Sequence, residues 1–180
     1  MMKYIGEHVY IRPLEAFDAE ARLRLNQNNK DFFQTYTPKR DEAFYTLETQ
    51  LKIIEEDMNQ SKNDIRYSFG IFLNEIDELI GNVALTEVLR GPLQSCFIGY
   101  YLDEHQNGKG YMTEAVKLAV DFAFHELKLH RIEAGVMPHN IRSMRVLEKA
   151  GFHKEGIAVK NVKINGKWED HQVLAIVGED

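Results

Sequence analysis

The chain has 180 residues, with 22 Lys and Arg against 28 Asp and Glu, a formal charge of −6, and a hydrophobic content of 44%. That is one domain's length at about 100–200 residues per domain, read here as 1–180, and the composition of an ordinary globular protein rather than a disordered one. The single cysteine, Cys96, excludes an intrachain disulfide and a CxxC zinc site, and the acidic balance argues against nucleic acid as the main ligand. No stretch approaches about 18 apolar residues and the first residues lack a signal-peptide core, so a cytoplasmic protein with no membrane partner and no metal is expected.

In chain order, residues 8–12 alternate weakly and stop at Pro13, which predicts a short edge strand. Asp18 is a candidate N-cap for a helix to about Asn29. After Asp41, Phe44, Leu47, Leu51, Ile54 and Met58 recur at steps of three and four, which predicts a helix with that stripe in the core. The period then changes to two. Ile65, Tyr67, Phe69, Ile71 and Leu73 share one face of a strand, and Leu79, Gly81, Val83, Leu85, Glu87 and Leu89 share a face of the next. Residues 96–102 are apolar on both faces, as in a strand at the middle of a sheet. Residues 112–127 read as a helix, 132–137 as a strand, and 140–150 as a helix capped by Asn140 and ended by Gly151. Finally, 158–164 and 167–177 flank Asn165-Gly166, a two-residue hairpin signal. The order predicts an α/β domain with a mixed, mostly antiparallel sheet of about seven strands flanked by about four helices.

The stretch Gln106-Asn107-Gly108-Lys109-Gly110-Tyr111-Met112-Thr113 joins the central strand to the long helix. Its glycines permit positive φ and close approach of the backbone to a ligand. The free N–H groups and positive dipole end of the following helix suit a phosphate or pyrophosphate. Thr113 adds a hydroxyl donor and Lys109 a charge. The loop has neither the third glycine of the dinucleotide fingerprint nor the Gly-Lys-Ser/Thr ending of a P-loop. Charge is also unevenly spread: Glu104 to Lys154 holds eight Lys and Arg against six Asp and Glu, a balance of +2, which leaves −8 on the remainder. The mildly basic segment suits an anionic ligand, and the acidic remainder a cationic acceptor.

Gln-x-x-Gly-x-Gly opening a helix resembles the acyl-CoA pyrophosphate loop of the GNAT superfamily of N-acetyltransferases. Further matches follow: Asn140-Ile141-Arg142-Ser143 and the closing Gly151-Phe152 resemble that superfamily's Asn-x-x-Ser helix, and Arg12-Pro13-Leu14 its opening turn. The terminal hairpin resembles the RimJ/RimL branch, which acetylates N-terminal amines of ribosomal proteins. The resemblance spans nearly the whole chain and implies the GNAT fold, with splayed central strands and acetyl-CoA as cofactor. It implies that Phe97, Ile98, Gly99, Tyr100, Tyr101 and Leu102 pair with the pantetheine arm. Gln106 to Thr113 would hold the pyrophosphate, Asn140 the pantetheine or phosphate arm, and Ser143 would lie near the thiol. Arg145 and Lys149, four apart on one helix, are candidates for the 3′-phosphate. A homodimer is compatible with the resemblance.

The family reaction is direct attack of a neutral amine on the thioester, so Cys96 is not needed as a nucleophile and reads as inert core. Backbone N–H groups of residues 97–102 are candidate oxyanion donors, and Ser143 the candidate proton source for the departing thiolate. Glu87 is the candidate base, because a carboxylate on an otherwise apolar strand face is desolvated and its pKa raised. An α-amine titrates near 7.7–8.0 and a lysine amine near 10.4, a gap of roughly 3.4 kcal/mol at 1.36 per pH unit. A site without a clearly placed base therefore suits an N-terminal α-amine, such as that of a ribosomal protein. The alternatives are a small amine (amino acid, polyamine or antibiotic) and a noncatalytic acyl-CoA sensor.

Overall fold

A computed structural model describes residues 2–180. Its eight strands are β1 (Tyr4–Ile5), β2 (Val9–Arg12), β3 (Tyr67–Leu73), β4 (Leu79–Leu89), β5 (Ser95–Leu102), β6 (Arg131–Val136), β7 (His153–Ile164) and β8 (Lys167–Val177). They form one sheet in the order β1-β2-β3-β4-β5-β6-β8-β7. The α-helices are α1 (Ala19–Asn28), α2 (Lys30–Phe33), α3 (Leu47–Lys62), α4 (Tyr111–His125) and α5 (Ile141–Lys149). Beyond the seven strands and four helices expected, the additions are the two-residue β1, paired with β2, and the single-turn α2.

Strand alternation sorts the core into two layers. Ile11, Ile71, Val83, Ile98 and Ala134 point to one face, where they pack against Val116 and Ala119 of α4 and Leu147 of α5. Tyr10, Phe72 and Leu79 point to the other, under Leu25 of α1 and Ile54 of α3. Each fully buried aliphatic side chain contributes about 1.5–3 kcal/mol, so the sheet is anchored from both sides. The hairpin turn forms as its sequence demands, with Asn165 at φ 49° and Gly166 at φ 84°.

Two expectations are corrected here. Of the α3 stripe only Ile54 is fully buried, while Leu47, Leu51 and Met58 are each about two-fifths exposed. A 3₁₀ turn over Glu42–Tyr45 interrupts the pattern, and the helix restarts at Thr46, whose hydroxyl caps it. The restart turns Gln50 inward, where Arg22 donates to its Oε1 and its amide donates to Phe44 O. Asp18, in turn, makes no side-chain cap to α1. Its carboxylate takes two hydrogen bonds from Arg12, at 2.7 and 2.9 Å, and one from Glu15 N at 2.8 Å, tying the end of β2 to the first helical turn.

The feature that positions the site lies at the centre of the sheet. β5 pairs with β4 along its length, and β6 with β8 along its length. Between them β5 and β6 run parallel and pair only at Ser95–Arg131, Cys96–Ile132 and Phe97–Glu133. Beyond those pairs the two strands part. Residues 98–102 and 134–136 form the walls of a split, with unpaired backbone groups on its inner edges.

Candidate active site

The loop after β5 enters through a 3₁₀ turn over Glu104–Gln106, capped by Asp103, whose carboxylate accepts from His105 N. Gly108 and Gly110 then adopt φ 80° and 82°, and a Cβ added to either meets no atom within 4 Å. Gly110 is the N-cap of α4 and supplies no side-chain acceptor, so the first-turn N–H groups at Tyr111, Met112 and Thr113 face outward without a cap. A cavity of about 370 Å³ lies against this loop, and its other wall carries Arg142, Arg145 and Lys149 of α5. Free N–H groups, a helix dipole and three cations thus converge on one space, which is the donor set for a pyrophosphate and a further phosphate.

That cavity continues, past the shared Leu102, Met112 and Val146, into a cleft of about 410 Å³. The cleft passes Tyr100 and Ser143 on the α5 side of the split and reaches Tyr101, Phe33 and Tyr36 on the other. Phe33 packs on Tyr101 with ring centroids 4.8 Å apart, and Tyr36 on His139 at 5.5 Å. The hairpin turn closes this end, since Lys39 N donates to Asn165 Oδ1 at 2.9 Å.

Most of the residues expected to hold a cofactor come together here. Tyr100, Tyr101, Leu102, Gln106, Asn107, Gly108, Gly110, Tyr111, Met112, Thr113, Asn140 and Ser143 line the two spaces. Phe97, Ile98 and Gly99 lie lower in the split and line neither: Ile98 is buried against the α4 layer, and Phe97 and Gly99 are exposed on the opposite face. Lys109 stands at the rim, its Nζ donating to Gln106 Oε1 at 3.1 Å. Asn140 caps α5 by accepting from Ser143 N at 3.3 Å. Ser143 Oγ lies 2.8 Å from Tyr100 Oη, which is also 3.1 Å from Ser143 O and donates to one or the other. Burial pushes the Tyr100 phenol above its ordinary pKa, so it stays neutral and a donor. This pairing was readable in part, because Tyr100 shares strand parity with Cys96 and Ile98 and so must face α5. Phe33, Tyr36 and His139 carried no periodic signal and were missed.

Two expectations fail at the site. Glu87 does not lie on the apolar face: the β4–β5 register slips between Thr86 and Leu89, Glu87 takes φ 50°, and its side chain is exposed. A bulge adds one residue and breaks parity with Leu85, so the carboxylate stands in solvent rather than on the apolar face. The acidic remainder of the chain does not meet the acceptor end either, because no Asp or Glu lines the cleft or the cavity. Cys96 behaves as inert core, with burial pushing its thiol up to about 12.

Among known proteins, the acetyltransferase (GNAT) domain family matches residues 8–153. The chain is 61% identical to the probable N-acetyltransferase YjcK of Bacillus subtilis, over 97% of each. It is 34% identical to the [ribosomal protein uS5]-alanine N-acetyltransferase of Escherichia coli, over 97% of this chain and 90% of that protein. The crystal structure of ribosomal-protein-S5-alanine acetyltransferase from Vibrio fischeri superposes with a TM-score of 0.93 at 32% identity, covering 100% of this chain and 98% of that one. Mycobacterium smegmatis RimJ, solved in complex with CoA-disulfide, superposes at 0.89 with 27% identity, over 98% and 90%. The fold that carries this split is thus shared with enzymes of one chemistry, and the chain belongs to the GNAT acetyltransferases as an N-acetyltransferase.

Proposed function

We propose that the enzyme acetylates the N-terminal α-amine of a protein, a ribosomal protein being the partner that its relatives suggest. The observation that carries this reading is the acceptor end of the cleft, which is aromatic and free of carboxylates. A polyamine brings two or more positive charges that need acidic partners once desolvated. A peptide α-amine is already about a tenth neutral at pH 7 and needs none.

Acetyl-CoA supplies an acetyl thioester when bound. The open Gly108 and Gly110 positions fit it, the N–H groups at Tyr111 to Thr113 and the α5 cations would hold its phosphates, and the unpaired edge of β5 its pantetheine arm. Backbone N–H groups on that edge are the donors for the carbonyl oxygen. Ser143 relays a proton to the departing sulfur, and Tyr100 is a positioning residue that fixes the Ser143 hydroxyl.

The test is thiol release from acetyl-CoA with three acceptors: an octapeptide beginning with alanine, free alanine, and spermidine. Turnover on the peptide with little on the others is expected. Turnover on spermidine alone overturns the α-amine reading, and tight acetyl-CoA binding without release on any of a wider amine panel favours a sensor.

A further inference from the structure

We propose that His171 is the base that accepts the acceptor amine's proton, acting from the sheet face opposite Ser143. The proposal rests on the α-amine reading above and assigns the group that reading leaves open. His171 lies on β8 and is largely buried. Its Nδ1 is 2.9 Å from Asn161 Oδ1 and 3.2 Å from Glu169 O. A backbone carbonyl only accepts, so Nδ1 carries the proton and Nε2 of the neutral ring carries the lone pair. Among the described residues, no protein group bonds Nε2. No fully buried side-chain nitrogen or oxygen among them lacks a partner, so Nε2 keeps contact with solvent.

The register places that atom's ring at the split. Gly135 of β6 pairs with Val173, and His171, two residues further on, shares their face. A Cβ built on Gly135 would lie 3.7–3.9 Å from His171 Cβ, Cδ2 and Cγ, so the imidazole spans this glycine. Gly135 is two residues beyond Glu133, the last β6 residue paired with β5. Across the gap, Gly99 is two residues beyond Phe97, on the same face, with nothing within 4 Å of an added Cβ. Two side-chain-free positions therefore flank the opening on the face away from α5, and an imidazole covers one of them. Tyr100 and Ser143 stand on the other face. Base and proton source thus stand on opposite faces of the split, so the ammonium and the departing sulfur are served by different groups.

The ring is also held from the far strand. The β7–β8 register slips between Ala158 and Val162, with Lys160 at φ 47° and its N–H donating to Asp170 Oδ1 at 2.7 Å. This bulge brings Asn161 onto Nδ1, and bulges re-aim side chains in this way. In the step itself, the ammonium gives one proton to Nε2 and the freed amine forms the C–N bond as the C–S bond breaks. The nitrogen's second proton passes to solvent, Ser143 gives its hydroxyl proton to the sulfur and is reprotonated from solvent, and Nε2 returns its proton to solvent, leaving one net proton released.

Two measurements test this. Nitrogen-15 NMR of the wild-type imidazoles is expected to show His171 protonated at Nδ1 and not at Nε2 when neutral; the opposite tautomer overturns the proposal. His171→Gln is then compared with wild type at pH 7 on two peptides, one beginning with alanine and one with 3,3,3-trifluoroalanine, whose amine is already largely neutral. A loss of about 10-fold, the cost of drawing on the neutral tenth of the amine, is expected on the alanine peptide, shrinking to within about 3-fold on the fluorinated one, with acetyl-CoA affinity retained. Equal loss on both peptides by a variant that melts near wild type, or no loss on either, overturns it. If His171→Gln does not fold, Asn161→Ala at the exposed bulge replaces it, with a loss of about 3–10-fold on the alanine peptide alone expected and an unchanged rate overturning the assignment. A wild-type enzyme that acetylates neither peptide overturns the α-amine reading, and this proposal with it.

Discussion

Gly99→Ala separates folding from catalysis at the split. Gly99 sits in β5 without a positive φ, and an added Cβ meets nothing within 4 Å, so the methyl group is accommodated without strain or clash. Replacing glycine by alanine at such a site narrows the unfolded ensemble and stabilises by about 0.4–1 kcal/mol. For a domain of this size that raises Tm by about 1–4 °C. The methyl group projects from the lower part of the split on the face that His171 shares, however, and displacing a reacting group by about 1 Å costs on the order of 10²-fold in rate. Thermal melts paired with thiol-release kinetics are therefore expected to show a raised Tm and kcat/KM lowered by about 10–100-fold, with acetyl-CoA affinity retained because the loop at Gly108 and Gly110 is untouched. Gly81→Ala is the control: its Cβ would lie 2.4 Å from the Tyr101 carbonyl oxygen, and it is expected to destabilise. A Gly99→Ala enzyme with wild-type kcat/KM and a raised Tm would refute this face of the split as the acceptor's path.

Tyr100→Phe removes one net hydrogen bond, costing about 0.5–1.5 kcal/mol, and is expected to lower kcat about 10-fold with little change in KM for acetyl-CoA. Combining it with Ser143→Ala tests the pairing, because fully additive losses in kcat would show that the two hydroxyls act independently. Asp18→Ala leaves the Arg12 guanidinium buried and unpaired, for an expected loss of about 3–5 kcal/mol in urea unfolding; a loss under about 1 would contradict the buried pair. The Glu155 carboxyl is held at about 2, first by hydrogen bonds from Arg131 and then from His153. A depressed carboxylate stabilises above its unfolded pKa of about 4.3 and loses that contribution as pH falls towards 2. Melts of Glu155→Gln should accordingly converge with wild type over that window.

The sequence disclosed the donor half of this site more fully than the acceptor half, for physical reasons. The Gln106 to Thr113 loop follows a left-handed path at 108 and 110 that few residue types other than glycine tolerate, so its glycines were legible without coordinates. The Asn140 cap followed from a local rule of helix ends, and Tyr100 and Ser143 were marked out by the resemblance to the family's motifs. The acceptor end is assembled from segments far apart in the chain, Phe33 and Tyr36 from an aperiodic stretch and His139 from a loop, so no local pattern announced it. Glu87 misled because alternation assumes an unbroken strand, and a bulge inserts its extra residue without a sequence mark that outweighs the flanking Leu85 and Leu89. His171 was hidden in an ordinary strand, since its significance lies in the carbonyl of Glu169 two residues away and in a glycine on the neighbouring strand.

The parting of β5 from β6 also bears on how the molecule is loaded. A tunnel with one entrance forces the first guest to wait for the last to leave, and a surface groove lets either be displaced. A gap through the middle of a sheet has two doors on opposite sides of a wall. On the function proposed above, the nucleotide end of one substrate would be held at α4 and α5 while the other arrives beneath the helices of the opposite layer, so neither would occupy the other's route. Initial-rate plots should therefore intersect rather than run parallel, and spent carrier can leave while a new chain end is already in place.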